Sequence, residues 1–400
     1  MRTGEGESPD LMTGPDAAAH AVPPWQAPTE VEHCLYEAKA RGDWAAYFDV
    51  LAGAHLYHAM PRARADARPG YVTYAPMRQG GTKYLVFLTD GMLPAPVADP
   101  IFFRDDLEQL ARGWPSEDEW LAVNPGTPCE AYFPATAAHR RTWLRHTERV
   151  TYPRRGELRT LRTGGPLHGP VAHGLACGAL LCVANASLWN AMGWHGTGYV
   201  RERKRLKEWW GITSREEWLR AQEELLEGRM SSPFWGLVLE IRRVLAGELG
   251  GRVEADHWRQ VTSRHLRDQG EPEARVAGAQ RLIGRILRYE ARFRADGLLA
   301  EGGFVRTVEA WDYGRASKMA RWGLGARFCD LAEAEQAVLR AGRISRINYR
   351  SWAEFSAAYI LGRCLHFDEE EFGAWYADML NAHRLLTTDP GSPWLNIPFA

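Results

Sequence analysis

Apolar residues recur along this chain at two periods, and the change from one to the other divides it. Between residues 31 and 53, Cys34, Leu35, Ala38, Trp44, Tyr47, Phe48 and Leu51 return every three or four positions, the mark of a helix with one buried face. Residues 71–76 and 83–89 are β-rich runs, the second almost wholly apolar, separated by the turn-forming Gln79-Gly80-Gly81. A short helix is expected over 105–112. Two strands, 120–124 and 129–133, flank Pro125-Gly126-Thr127-Pro128, a turn by its chemistry. A helix over 135–148 completes an α+β domain.

From residue 171 onward only helical spacing is found. Residues 172–189 are rich in Ala, Gly and Leu, which suits a tightly packed central helix. Helices are expected over 199–210, 214–226, 235–248, 254–268, 273–295, 309–322, 351–363 and 370–386. Ser214 with Glu217 three residues on is a capping-box signature. The fold expected is an α+β N-terminal domain over 30–147 and a mostly α-helical C-terminal domain over 171–388, predominantly helical overall. Residues 1–28, of Gly, Pro, Ala and acid without period, predict a disordered tail. Residues 148–170 predict an Arg/Gly/Pro-rich linker, and 389–400 an extended tail. Residues 140–162 hold eight arginines against Glu148 and Glu157. Such a run reads as a solvated connection open to protease, with contact to phosphate or an acidic partner as the alternative.

One helix carries an anomaly. At 100° per residue, Val308, Asp312, Arg315, Met319 and Trp322 fall in a narrow arc whose apolar members should face inward. Asp312 and Arg315, three apart, are carried in with them. In the later helix Trp352, Phe355, Tyr359, Arg363 and His366 share a face, with Arg363 inside an apolar stripe. A buried arginine cannot practically neutralise itself, so one shared network is expected, with Asp312 accepting from Arg315 and Arg363. Three readings stay open: a fold-specifying ion cluster, two arginines completed by a ligand carboxylate or phosphate, and catalysis by Asp312. A second charged feature is Arg281, Arg285, Arg288 and Arg292, a stripe along one helix with Ala279, Ile283, Ile286 and Phe293 broadly opposite. It reads as a solvated face paired with acids, or as a surface for phosphates, nucleic acid or an acidic protein.

Composition narrows the choice. The chain has 400 residues, long enough for two domains, with 45% hydrophobic and 25% charged residues. A formal net charge of −1 argues against general nucleic-acid binding. Six cysteines without paired spacing suit reduced thiols in a cytosol. No signal peptide is visible, and the longest apolar run, 174–189, contains Asn185 and is short of a membrane span. His173, Cys177, Cys182 and His195 lack a recognised zinc spacing. No Walker loop, no Gly-x-Ser-x-Gly elbow and no carboxylate pair stands out, and the acidic run 368–371 reads as a solvated helix end. No catalytic residue, metal or cofactor is therefore expected.

Two resemblances follow from short patterns. Ala310-Trp311-Asp312 with Arg315, then Arg321-Trp322-Gly323, then Ser351-Trp352, Glu354-Phe355, Tyr359 and Gly362-Arg363 resemble the bacterial family called domain of unknown function 1266, as does Trp210-Gly211-Ile212. The likeness covers about 171–383 and implies a mostly helical domain and no reaction. Gly42-Asp43-Trp44, Leu56-Tyr57 and the run from Leu121 to Gly126 resemble the N-terminal domain of the SseB family, over about 30–147. That likeness implies no active site. Together these readings point to a bacterial cytosolic protein-interaction or regulatory module whose partner is another protein, with no membrane. The alternatives are a phosphate-substrate hydrolase around Asp312, Arg315 and Arg363, and a nucleic-acid binder using the arginine stripes.

Overall fold

The first expected helix is broken in two by backbone chemistry. Gly42 takes a left-handed conformation (φ 68°), and Asp43 then caps a new helix, its side chain accepting from the Ala46 amide at 2.9 Å. The result is α1 (Glu30–Ala40) and α2 (Trp44–Ala52). The computed structural model describes residues 25–61, 67, 74, 76–93, 101–149, 156–161, 165–192, 198–251, 253–368 and 371–399. Most of the expected N-terminal tail, and of the strand expected over 71–76, lies outside these residues.

The described strands are β1 (Leu56–Met60), β2 (Met77–Gln79), β3 (Thr82–Phe87), β4 (Ile101–Asp105), β5 (Glu119–Val123) and β6 (Ala131–Phe133). β2 and β3 form a hairpin turning at Gly80 and Gly81, both at positive φ as a two-residue loop requires. β3 runs parallel to β5, β5 pairs antiparallel with β6 across the Pro125–Pro128 turn, and β1 pairs antiparallel with β4. Neither β1 nor β4 is expected from the pattern. Helices α3 (Leu107–Gly113) and α4 (Ala137–Thr147) cover a core that includes Leu35, Tyr47, Leu51, Leu85, Phe87, Leu121 and Trp143. Polar groups pin this core. Asn124 Oδ1 accepts from the Thr89 amide at 2.9 Å and its Nδ2 donates to Thr89 Oγ1 at 3.0 Å. The Thr89 and Thr29 hydroxyls and the Gly91 amide all donate to the buried Glu32 carboxylate on α1.

Within the expected linker, residues 167–170 are exposed, but 157–161 are packed rather than solvated. Leu161 is fully buried in a small cluster with Tyr57, Phe102, Leu188 and Ala191, which joins the two halves of the chain. Arg159 pairs with Asp90 and donates to the Ala186 carbonyl at 2.6 Å, while its own carbonyl accepts from the Trp189 amide at 2.9 Å. Asn190 exchanges hydrogen bonds with both backbone groups of Leu161, at 2.7 and 2.8 Å.

The helical half runs α5 (Gly169–Ala176), α6 (Ala179–Ala184), α7 (Gly198–Trp210), α8 (Arg215–Leu226), α9 (Pro233–Glu248), α10 (Ala255–Asp268), α11 (Glu273–Ala295), α12 (Ala310–Ala326), α13 (Leu331–Asn348), α14 (Trp352–Phe367), α15 (Ala374–Thr388) and α16 (Pro393–Asn396). The capping box at Ser214 and Glu217 is present in both directions. Helix α13 is not among the expected elements, although Asp330 and Glu333 form a second reciprocal capping box at its start. The expected central helix over 172–189 is two short helices parted at Gly178, and the central position belongs to α12. Residues 389–399, expected as an extended tail, are docked. Trp352 Nε1 donates to the Ile397 carbonyl at 2.9 Å, Trp394 Nε1 to the Ala176 carbonyl at 3.1 Å, and His173 Nε2 meets the Phe399 carbonyl at 2.9 Å. Asp368 is no solvated helix end either. It is buried, accepting from the Tyr289 hydroxyl at 2.7 Å and from the amides of Phe372 and Gly373 at 3.3 Å each.

α12 departs most from the amphipathic reading. Its buried residues include Trp311, Asp312, Tyr313, Ala316, Ser317, Lys318, Met319, Arg321 and Trp322, which together cover every face. Neighbours reach its backbone directly: Trp218 Nε1 donates to the Met319 carbonyl at 3.0 Å and Gln222 Nε2 to the Ala316 carbonyl at 3.2 Å. Glycines make room for this. A Cβ on Gly323 would lie 2.1 Å from Trp218 Nε1, and one on Gly314 would lie 2.6 Å from the Tyr359 ring.

The two kinds of helical glycine should respond oppositely to alanine. Gly323→Ala should destabilise by about 1–3 kcal/mol through overpacking against Trp218. Gly236→Ala in α9, where nothing lies within 4 Å of the added carbon, should stabilise by roughly 0.5–1 kcal/mol. Chemical denaturation of the two variants checks the pair; a shift of the same sign in both would contradict the packing argument.

Candidate functional site on the central helix

Asp312, Arg315, Lys318 and Arg321 follow one another at intervals of three along α12. Three residues turn a helix by 300°, so these side chains wind round it and meet different neighbours. Asp312 is fully buried. Its Oδ2 accepts from the Ser231 amide at 2.8 Å and its Oδ1 from the Ser231 hydroxyl at 3.0 Å, and Arg315 Nη2 pairs with Oδ1. The expected second donor is Arg363, and Ser231 from the loop before α9 takes that place. Arg315 Nε donates to the Trp311 carbonyl at 3.2 Å, and the guanidinium lies 3.5 Å from the Trp311 ring centroid and 5.5 Å from that of Trp210. Burial pushes the Arg315 pKa down and Asp312 pulls it back up, with Arg363 adding to the downward push.

Arg363 sits where the stripe on α14 leaves the core. Trp352, Phe355 and Tyr359 are buried, whereas Arg363 is half-buried and His366 exposed. Its guanidinium lies 5.4 Å from the Phe367 ring and 5.0 Å from that of Trp375. Among the described residues it has no hydrogen-bond or ion-pair partner, and its buried Nε is unpaired. The Tyr359 hydroxyl, wholly buried, has no partner among them either. Burial raises the Tyr359 pKa while Arg363 and Arg315 oppose the rise, so both positive charges are felt at the phenol. His366 packs 5.1 Å from the Trp311 ring, and burial followed by the same two arginines lowers its pKa. Arg315 and Arg363 thus make the space between α12 and α14 electropositive, while Asp312 is already occupied by the protein's own donors.

The arginine stripe does not form one surface. Arg285 Nη2 reaches the carbonyls of Leu365 and Asp368, both at 3.4 Å, at the end of α14. Arg292 pairs with Asp296 at 2.6 Å. Arg281 and Arg288 are exposed, and the Arg288 guanidinium folds over Gly284 beside that of Arg259. There α10 and α11 border a cleft of about 500 Å³ lined by Arg259, Ser263, Arg264, Arg267, Asp268 and Gln280, among others.

Sequence reasoning missed the other side of α12. Lys318 and Arg321, both buried, converge on Cys182 of α6, with Nζ at 3.7 Å and Nη1 at 3.1 Å from the sulfur. Lys318 also donates to Ser187 Oγ at 2.6 Å, and Arg321 to the Ala191 and Leu188 carbonyls at 2.8 and 2.5 Å. The spacing of the four charges is visible in the sequence; the cysteine that two of them meet is not. From the sequence Cys182 stands out only as a metal ligand with His173, Cys177 and His195. His173 and Cys177 are engaged in packing contacts, His195 lies outside the described residues, and among the described residues no group of three His, Cys, Asp or Glu is arranged to hold a metal ion.

The charged residues of α12 and α14 fall inside a stretch shared with other proteins. Residues 205–399 match the family model described as a protein of unknown function, DUF1266. The match begins later than the likeness expected from residue 171 and runs on through the docked C-terminal segment. Within the matched stretch lie Asp312, Arg315, Tyr359 and Arg363, together with Lys318 and Arg321, while Cys182 and Ser187 precede it. No curated protein and no solved structure matches the chain. The SseB likeness of residues 30–147 finds no support in these comparisons.

Two measurements probe the energetics of α12. Asp312→Ala strands Arg315 and the Ser231 amide in a buried site and should cost about 3–5 kcal/mol in urea denaturation. Ser231→Ala, which keeps the amide bond, should cost only about 1 kcal/mol. The second concerns pH. Burial pushes the Lys318 pKa down to about 7. Burial also opposes ionisation of Cys182, but the charges of Lys318 and Arg321 outweigh it and draw the thiol below its ordinary value. Arg205 and Glu202 of α7 also bear on Lys318, Arg205 opposing its charge and Glu202 favouring it. An unfolded lysine holds its proton to about 10.4 and a thiol to about 8.5. Above pH 7 the unfolded chain therefore binds more protons than the folded one, so stability rises with pH, by on the order of 1–2 kcal/mol between about pH 7 and 8.5. Denaturation midpoints across that window should climb, and Lys318→Met should flatten the climb.

Proposed function

We propose that the chain is a non-catalytic binding module that recognises an anionic group of a partner protein at Arg363, where α14 reaches the surface beside the exposed His366. The observation that carries this reading is Arg363, a guanidinium without a partner among the described residues, beside a second arginine and an unpartnered buried phenol. Guanidinium groups recognise carboxylate and phosphate through paired, charge-assisted hydrogen bonds, and an arginine with unused donors suits that role. Exposed Phe367 and Trp375, stacked at 4.8 Å, supply an apolar flank beside Arg363. Aromatic and arginine side chains are the types that dominate binding energy at protein interfaces.

The hydrolase reading is weakened by the occupancy of Asp312, whose carboxylate is taken up by Ser231 and Arg315. The nucleic-acid reading is weakened because Arg285 and Arg292 are turned to contacts within the protein. Joining an N-terminal domain with SseB-like patterning to the DUF1266 region suits a module that brings partners together. A cytosolic setting is supported by the free state of all six cysteines. Among the described residues no helix is long and apolar enough to cross a membrane.

Binding of a fluorescent glutamate-rich peptide, with inorganic phosphate as competitor, tests the proposal by anisotropy. Arg363→Glu should weaken peptide binding at least ten-fold, about 1.4 kcal/mol, without lowering the melting temperature. Binding that survives Arg363→Glu and is lost in Arg281→Glu/Arg288→Glu would move the surface to α11 and defeat the assignment to Arg363.

A further inference from the structure

The cluster beneath α12 has a charge problem that points to chemistry. Lys318 and Arg321 are both buried, and among the described residues no carboxylate is in hydrogen-bond contact with either. Glu202, a buried acid that bears on both Lys318 and Arg321 without touching either, is itself paired with Arg205 at 3.1 Å. The sulfur of Cys182 is the group that both cations touch. A neutral thiol beside two buried cations would leave them without any contacting anion, a costly arrangement. The cluster is relieved when one proton leaves it, from the thiol or from the ammonium. The first state holds a thiolate and the second a free amine, and the two interconvert by moving a proton across 3.7 Å.

We infer that Cys182 and Lys318 form a redox-sensitive pair, which peroxide converts into a covalent sulfur–nitrogen link between α6 and α12. The Cys182 thiolate attacks one oxygen of hydrogen peroxide. An S–O bond forms, the O–O bond breaks, and the departing hydroxide takes the Lys318 ammonium proton as water. Electrostatics favours that proton transfer: once the sulfur is a neutral sulfenic acid, the ammonium has lost its anionic neighbour and still faces Arg321. The freed amine then attacks sulfur, the N–S bond forms, the S–O bond breaks, and a second water leaves. Sulfur gives up two electrons and peroxide takes them. The balance is one thiol, one amine and one peroxide going to one S–N link and two waters. Hydrogen peroxide is neutral and little larger than water, so the local openings that admit water to a core admit it too. The link would tie the central helix to α6 and cancel two of the buried charges. It does not depend on anion binding at Arg363, although the Tyr359 phenol lies within electrostatic reach of Cys182.

The test uses the full chain treated with hydrogen peroxide, followed by intact mass and peptide mapping. The expected result is a loss of about 2 Da, a peptide pair joining Cys182 to Lys318, and reversal by dithiothreitol. Lys318→Arg keeps a positive charge beside the sulfur but cannot supply the amine. In that variant Cys182 should gain oxygen instead, about 32 Da as the sulfinic acid. The inference is overturned if wild-type Cys182 is recovered as a free thiol after exposure that takes the partly exposed Cys34 to completion. It is equally overturned if wild-type Cys182 gains oxygen without a link, or if the Lys318→Arg variant shows the same loss of mass. The wild-type measurement decides the matter even if the variant does not fold.

Discussion

A helix buried on nearly every face must have the charges it carries answered by other elements, and α12 carries Asp312, Arg315, Lys318 and Arg321. Water is kept from all of them but the partly exposed Arg315, so the surrounding chain is arranged to satisfy them. The loop before α9 brings the Ser231 amide and hydroxyl to Asp312. The segment after α6 brings the carbonyls of Leu188 and Ala191 to Arg321 and the Ser187 hydroxyl to Lys318. Trp210 and Trp311 provide π faces for Arg315. Each contact adds little once made and costs several kcal/mol if left open, so the charges act as register marks for the helices around them.

The same logic recurs away from α12. Arg242 and Glu290, both buried, form a two-bond pair at 2.9 and 2.6 Å between α9 and α11, and Arg242 also donates to the Val305 carbonyl at 2.7 Å. The guanidinium lies 4.2 Å from the Trp258 ring, which brings α10 into the same contact. In the N-terminal half Glu32 gathers donors from separate segments, at Thr29 and at Thr89 and Gly91. Large aromatic residues fill the space between such fixed points, and glycines at 314, 323 and 362 let them approach the central backbone.

Much of this is legible in the residues, and the limits of legibility are physical. Period and capping chemistry locate most helices, the Pro-Gly turn locates the β5–β6 pair, and the Gly-Gly turn locates a hairpin whose first strand, Met77–Gln79, follows the run expected over 71–76. The Asp312–Arg315 contact follows from local spacing, since residues three apart on a helix meet wherever the helix sits. The donors that complete the site do not follow. Ser231 is 81 positions from Asp312 in sequence, and a serine in the loop before a helix looks like any other turn residue. Pairing Arg363 with Asp312 assumes that both are buried and each needs the other. The stripe on α14 instead emerges at the surface by that residue, where solvent and aromatic faces make an ion pair unnecessary. Helix α13 escapes notice because its face is built largely of alanine with a glycine, which barely register as apolar.

The docked C-terminal segment carries a consequence for how the chain is made. The carbonyl of Phe399 meets His173, and the Trp394 indole meets the Ala176 carbonyl at the end of α5. The second of these contacts spans 218 positions in sequence, so a ribosome delivers α5 long before its partners. Until they emerge, α5 exposes the apolar flank that Trp352, Trp394 and Phe399 later cover. During synthesis the helical half has to wait for these late contacts. Its early helices pass that interval as clients for whatever binds exposed apolar surface in the cell.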